Sequence, residues 1–208
     1  MDIENIFSNL CSLRYDHQTL YGRGIVDINE HLPTLRKYAS QCDHVTEMGT
    51  RFAVSTHALL IGKPKKVVAY DLNYKFFKPY ESELKLFALN CNTDFQFHEA
   101  DVLNTEIAET DLLFIDTLHT YNQLSKELRK HEQQVKKWII LHDTVTFGDK
   151  DEEFYKNGAI SSDVLNMEVQ KHGLMNAFLD FLKENKNWKV KEHFTNNNGL
   201  TILERVAA

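Results

Sequence analysis

The stretch HVTEMGTRFAVSTHALLIG, residues 44–62, passes from a short apolar segment through a polar turn at Gly49 and into a second apolar segment ending at Gly62. VTEM (45–48) reads as a strand and STHALLIG (55–62) as the helix that follows it. A strand, a tight glycine turn and a helix start together make a nucleotide-type binding loop. This one carries a single glycine, Gly49, where a dinucleotide-binding loop carries three. Backbone that must touch a pyrophosphate needs those glycines, so the loop suits a ligand without phosphate.

Downstream, apolar runs alternate with helical stretches. KVVAYDL (66–72), DFQFHEA (94–100), DLLFIDT (111–117) and WIILHDT (138–144) read as strands, DLLFIDT as one buried on both faces. PYESELKLFALNC (79–91), LSKELRKHEQQVKKW (124–138) and VLNMEVQKHGLMNAFLDFLKEN (164–185) read as helices. WKVKEHFT (188–195) and GLTILERV (199–206) are joined by Asn-Asn-Asn-Gly, a hairpin signal that adds an antiparallel edge. The first 40 residues read as a helical cap, with Leu32, Leu35, Tyr38 and Ala39 at helical spacing. The expected fold is α/β: one domain over 1–208, with a doubly wound, Rossmann-like, mostly parallel seven-stranded sheet over 41–208. Helices should cover both faces, and residues 145–163 should form an acceptor loop.

Composition narrows the function. A chain of 208 residues, 42% hydrophobic, has enough apolar material for one sizeable core. The net charge of −6 argues against a non-specific nucleic-acid binder. Cys11, Cys42 and Cys91 are odd in number and far apart, which suits free thiols in a reducing cytoplasm better than a metal cluster or disulfide framework. The N-terminus MDIENIFSNLCSLRYDHQTL holds no apolar block of signal or membrane length.

The ends of the five parallel strands carry Glu47, Asp71, Asp101, Asp116 and Asp143, the last preceded by His142. Any one of these carboxylates could simply cap the next helix. Five at one sheet edge repel each other unless a ligand, cation or water offsets them, and ligands bind at that edge in open α/β sheets.

The order of these motifs resembles the class I S-adenosylmethionine-dependent methyltransferases, from about residue 40 to the end. Glu47, Gly49, Ala53 and Ser55 look like the first motif of the catechol-type O-methyltransferases. FIDTLHTYNQLSKEL and WIILHDT look closer still to methyltransferase family 24 and the cephalosporin-hydroxylase-like group, many of whose members tailor sugars, polysaccharides or antibiotics. The resemblance implies an S-adenosyl-L-methionine site with S-adenosyl-L-homocysteine as product. It implies that Gly49 lets backbone pass close to the methionine part, that Ser55 and nearby amides hold its carboxylate, and that Glu47, Thr50 and Asp116 also belong to the cofactor site. Asp71, followed by Leu72, would take the ribose hydroxyls, and Asp101 the adenine amino group, with Ala100 and Val102 against the ring. Arg51 departs from the small residue common at its place.

For chemistry, His119 stands three residues after Asp116, where the resembling enzymes have a proton-accepting lysine, and imidazole suits that role near neutral pH. His142 and Asp143 are the other catalytic candidates. Asp116 and Asp143 match two ligands of a divalent metal, magnesium or manganese, in those enzymes. The third place falls to His142 or Thr144, and a metal-free site remains an equal alternative. Arg23, Tyr121, Phe147 and Tyr155, with Tyr21, are candidate acceptor contacts. The reading is an O-methyltransferase acting on a hydroxyl of a sugar, with a small molecule or glycan as acceptor. A homo-oligomer, or a place in a larger glycan-synthesis protein, fits the same resemblance. The alternatives are a non-catalytic cofactor- or glycan-binding module on this fold, and an NAD-linked oxidoreductase disfavoured by the missing glycines.

Overall fold

The structure, a computed structural model, describes residues 1–12, 27–152 and 171–206. Seven strands form one sheet: β1 (His44–Met48), β2 (Lys66–Asp71), β3 (Asp94–Glu99), β4 (Thr110–Ile115), β5 (Val135–His142), β6 (Trp188–Phe194) and β7 (Leu200–Arg205). Their order across the sheet is β3-β2-β1-β4-β5-β7-β6. β1 to β5 are parallel, while β7 runs antiparallel to both β5 and β6. The terminal hairpin is therefore present, but its second strand is the inner one and β6 is the edge. Asn197, Asn198 and Gly199 turn it in the left-handed region, which Asn and Gly enter at least cost.

Alternate side chains enter opposite faces of the sheet, as the two-residue period requires. Val45, Val67, Leu112, Phe114 and Ile140 join one core. Helices α1 (Ile3–Cys11), α2 (Leu32–Ala39), α3 (Val54–Ile61) and α5 (Glu81–Cys91) supply Leu10, Leu35, Leu59 and Phe87 to it. Met48, Val68, Leu113, Ile139 and Leu141 join the other core, with Leu128 of α6 (Tyr121–His131) and Phe178 of α7 (Leu174–Glu184). Cys42 and Cys91 are buried free thiols and Cys11 is half-buried and free. Among the described residues no helix is long and apolar enough to cross a membrane.

Tertiary pairing moved several boundaries. The helix expected over 124–138 is α6, which begins at Tyr121 behind the Thr120 cap and ends at His131. Residues 135–138 join β5 instead, because Val135 pairs with Thr110 and Trp138 with both Leu112 and Glu204. A sheet position with partners on two sides outweighs the small helix propensity of Lys and Gln. The last helix begins only at Leu174, after Gly173 at φ 86°, and the expected stretch 164–170 lies outside the described residues. A one-turn helix α4 (Tyr74–Phe77), capped by Asn73, was not expected. The connection from β3 to β4, residues 100–109, contains no helix, so that crossover departs from strict strand–helix alternation.

Candidate active site

The strand order reverses between β1 and β4, and the ends of these two strands interlock. Gly49 N–H donates to the Tyr70 carbonyl and Asp116 N–H to the Met48 carbonyl, both at 2.9 Å. Gly49 sits at φ 87°, and a Cβ there would overlap the Asp116 carbonyl oxygen. The glycine was expected to let backbone approach a cofactor; its first physical requirement is this crossing of β1 and β4.

Two carboxylates brace the loop that follows. Glu47 is fully buried and accepts from the hydroxyls of Ser55 at 2.5 Å and Thr56 at 2.7 Å, at the start of α3. Burial pushes the Glu47 carboxyl up to about 7. Asp71 Oδ2 accepts from the amides of Thr50 and Arg51 at 2.9 and 2.7 Å, and its Oδ1 from Asn73 N–H at 2.9 Å. Within this braced loop Arg51 and Ala53 sit at φ 42° and 61°, and the Ala53 amide donates to the Thr50 carbonyl at 2.7 Å, so left-handed turns form here without further glycines. Glu47, Gly49, Thr50, Ser55 and Asp71 are thus brought together. The Ser55 hydroxyl is committed to Glu47, which departs from its expected role toward a ligand carboxylate. Asp71 already receives three amides, and a carboxylate offers about four acceptor positions, so room remains for one further donor.

Leu72 beside it is 44% exposed, whereas Val102 is buried and Ala100 half-buried. Asp101 uses Oδ1 for Leu103 N–H and Oδ2 for the Asn104 amide, both at 2.9 Å, closing its own turn. Its carboxylate is a turn-former first.

Across the switch point, β4 and β5 deliver Asp116, His119, His142 and Asp143 to one spot. His119 Nε2 lies 3.0 Å from Asp143 Oδ2 and 3.3 Å from Asp116 Oδ1. Its Nδ1 lies 2.8 Å from Glu152 Oε2, and the Phe147 ring stacks on the imidazole at 4.8 Å and 6°. His142 Nδ1 faces the same two oxygens, 3.4 Å from Asp116 Oδ1 and 3.2 Å from Asp143 Oδ2. Burial opposes charge on both rings, yet the carboxylates outweigh it. His119 is raised well above an ordinary imidazole and His142 to about 10. Burial likewise opposes ionisation of Asp116 and Asp143, and the histidines reverse it, lowering both. Carboxylates facing both ring nitrogens favour the charged, proton-donating form of His119.

The remaining sequence candidates fall elsewhere. Tyr121 donates its hydroxyl to Asp180 at 3.0 Å and so ties α6 to α7. Thr144 is fully buried and accepts from the Thr201 hydroxyl at 2.9 Å, apart from the Asp116–His142–Asp143 group. Arg23, Tyr155 and Tyr21 lie outside the described residues. Glu152 was overlooked because the run DKDEE reads as solvated surface; its fourth residue turns inward, and its own amide donates to the His119 carbonyl at 2.8 Å. Asp27, in the N-terminal cap, was not singled out either. Its Oδ2 accepts from the Asn198 amide at 3.4 Å, and burial, then Asp116 and Asp143, raise its carboxyl.

No protein-family model and no curated protein matches the chain. Solved structures do. An O-methyltransferase from Bacillus cereus, in complex with SAH, shares 14% identity at a TM-score of 0.60, covering 98% of this chain and 89% of that one. TomG, an O-methyltransferase from Streptomyces achromogenes involved in tomaymycin synthesis and crystallised with SAM, shares 13% identity at 0.60 over the whole of both chains. The N-terminal domain of EvdMO1, in the presence of SAH and D-fucose, shares 14% at 0.51, covering 100% of this chain and 98% of that one. Identities this low speak for architecture, and the chain has the Rossmann-like fold of the S-adenosylmethionine-dependent O-methyltransferases.

Proposed function

We propose that this protein is an S-adenosylmethionine-dependent O-methyltransferase that acts on a hydroxyl of a sugar or glycosylated small molecule. The observation that carries the reading is the junction of the Gly49 loop with the Asp116–His119–His142–Asp143 group at the switch in strand order. The loop fits the cofactor. Glu47, Asp71, Asp101 and Asp116 would repel a pyrophosphate, yet they suit a ligand with an ammonium, a sulfonium and ribose hydroxyls.

When bound, the cofactor supplies an electrophilic methyl carbon on a sulfonium. The chain must then align an acceptor oxygen in line with it, take the hydroxyl proton and exclude water. Thr50 and Asp71 border the ribose side, with Leu72, Ala100, Asp101 and Val102 at the adenine. Phe147 fixes the His119 ring by stacking, and Glu152 orients it through Nδ1. Nε2 is thereby aimed at the carboxylates where a hydroxyl would arrive. The acceptor proton passes into this group, to His119 once the ring has released a proton, or to Asp143. The sugar reading is supported by the aromatic Phe147 beside polar groups and by the D-fucose in the EvdMO1 structure.

The test is a mass-spectrometric screen of the full chain with S-adenosylmethionine and a panel of sugars, glycosides and catechols. Acceptor-dependent S-adenosylhomocysteine with a methylated sugar supports the reading. Methylation of catechols alone removes the sugar, and cofactor binding without turnover on any acceptor leaves a binding module.

A further inference from the structure

The turn between β6 and β7 closes on itself through Gly199 N–H and the Asn196 carbonyl at 2.9 Å, and a hairpin needs no more than such backbone bonds. Its three asparagines do much else. The Asn197 carbonyl accepts from two buried rings, His142 Nε2 at 3.2 Å and His31 Nε2 at 3.2 Å. His31 Nε2 also lies 3.0 Å from the Asn196 carbonyl. The Asn196 amide donates to the Glu30 carboxylate at 2.5 Å, and Asn197 Oδ1 accepts from Glu30 N–H at 3.2 Å. Asn198 reaches furthest. Its carbonyl accepts from the amides of Val145 and Thr146 at 2.9 and 3.1 Å, and its Oδ1 from the Thr146 hydroxyl at 2.9 Å. Its Nδ2 donates to Asp27 Oδ2 at 3.4 Å. One residue thus ties the N-terminal cap to the loop that leaves β5, beside the turn carbonyl that holds His142.

Asp27 is half-buried, and among the described residues that one long bond is its side-chain tie to another residue. A carboxylate offers about four acceptor positions, so most of its capacity is open to a donor from outside the chain. Burial, then the charges of Asp116 and Asp143, raise its carboxyl, and a hydroxyl donating to it would offset both.

We propose that Asp27 is an acceptor-binding carboxylate, taking a substrate hydroxyl other than the one methylated, and that Asn198 is the positioning residue that holds it at the site. The ligand class is polyhydroxylated, as in a sugar, because an acceptor with a single hydroxyl has nothing to give Asp27. The proposal rests on the methyl-transfer reading for what the carboxylate binds. The placing of Asp27 by Asn198 does not depend on it.

The experiment combines amide hydrogen exchange on the full chain with kinetics on acceptors of one and of several hydroxyls. Asn198 sits at φ 68°, which glycine enters freely, so Asn198→Gly removes the side chain with little backbone strain. It should speed exchange across 27–31 and 145–147 about tenfold and leave 49–56 unchanged, because two side-chain bonds are lost. Asn198→Gly and Asp27→Asn should each raise the KM of a polyhydroxylated acceptor about tenfold, with S-adenosylmethionine affinity within about twofold of the parent. For an acceptor with one hydroxyl, Asp27→Asn should leave KM as it was. Exchange indifferent to Asn198→Gly, an unchanged KM for the polyhydroxylated acceptor in Asp27→Asn, or equal losses for both kinds of acceptor would each overturn the proposal. Should the parent chain methylate nothing, the methyl-transfer reading falls by itself. Equilibrium binding of methyl glucoside then decides: weaker binding by Asp27→Asn upholds the proposal, and equal or no binding sinks it.

Discussion

Gly49 and Asp116 meet across the switch point so closely that the glycine has no room for a single methyl group: its missing side chain would lie in the Asp116 carbonyl. The loop proposed to hold the cofactor and the cluster proposed to do the chemistry therefore share one backbone crossing. Gly49→Ala should cost at least about 2 kcal/mol, combining left-handed strain with overpacking against backbone that cannot yield. Urea denaturation measures it. A loss below about half a kcal/mol would mean that the two strand ends are not apposed in this way.

Asp71 organises the same loop from β2, through three backbone amides. Asp71→Ala removes these bonds and should weaken S-adenosylmethionine binding by about 1.5–3 kcal/mol, roughly ten- to a hundredfold. Asp71→Asn keeps one acceptor oxygen and should fall between. Calorimetry that finds all three proteins equal would take Asp71 out of cofactor binding.

His119 is clamped between Phe147, Glu152 and the two strand-end aspartates. His119→Ala should bind cofactor as before and lose turnover by about 10²–10⁴-fold, the usual contribution of a positioned proton-transfer group. Glu152→Gln preserves shape and should lower kcat by at least about tenfold with little change in KM, because the ring loses its orienting charge. Near-normal turnover in His119→Ala would move proton transfer to Asp143.

Glu127 of α6 gives the fold a further pH dependence. It is fully buried and accepts from Thr117 and Gln123 through Oε1, while Oε2 has no hydrogen-bond partner. Burial raises its carboxyl from the ordinary 4.5 to about 7. The folded protein keeps a proton there that the unfolded chain releases near 4.5. The associated stability is complete below that pH and is lost as pH rises through about 7, in all about 3 kcal/mol. Glu47 titrates in the same window and in the same direction. Denaturation at pH 5 and pH 8.5 should therefore show a decline that Glu127→Gln reduces by about 2–3 kcal/mol. An equal decline in both proteins would show that Glu127 ionises normally.

Element type was legible wherever local pattern and tertiary demand agree. VTEM, KVVAYDL, DFQFHEA, DLLFIDT and WIILHDT became β1 to β5, since short apolar or alternating runs bounded by turn residues match the length and two-residue period of sheet strands. Asn-Asn-Asn-Gly became the β6–β7 turn because those residues enter left-handed conformations cheaply. The gathering of Glu47, Asp71, Asp101, Asp116 and Asp143 at one edge followed from strand direction alone. What the tertiary structure decided lies in pairings between segments distant in the chain. Residues 135–138 left a helix-like run for β5, because β4 and β7 offered partners on both sides. Glu152 left an acidic surface-like run because His119, 33 residues earlier, presents an imidazole and a main-chain carbonyl to it. His142, and not Thr144, turned toward Asp116, because Thr201 of β7 captures the threonine hydroxyl. Backbone periodicity is a property of neighbours and can be read in order. The partner of a buried charge is chosen in three dimensions, where solvation is lost and only the groups that happen to face it can replace the water.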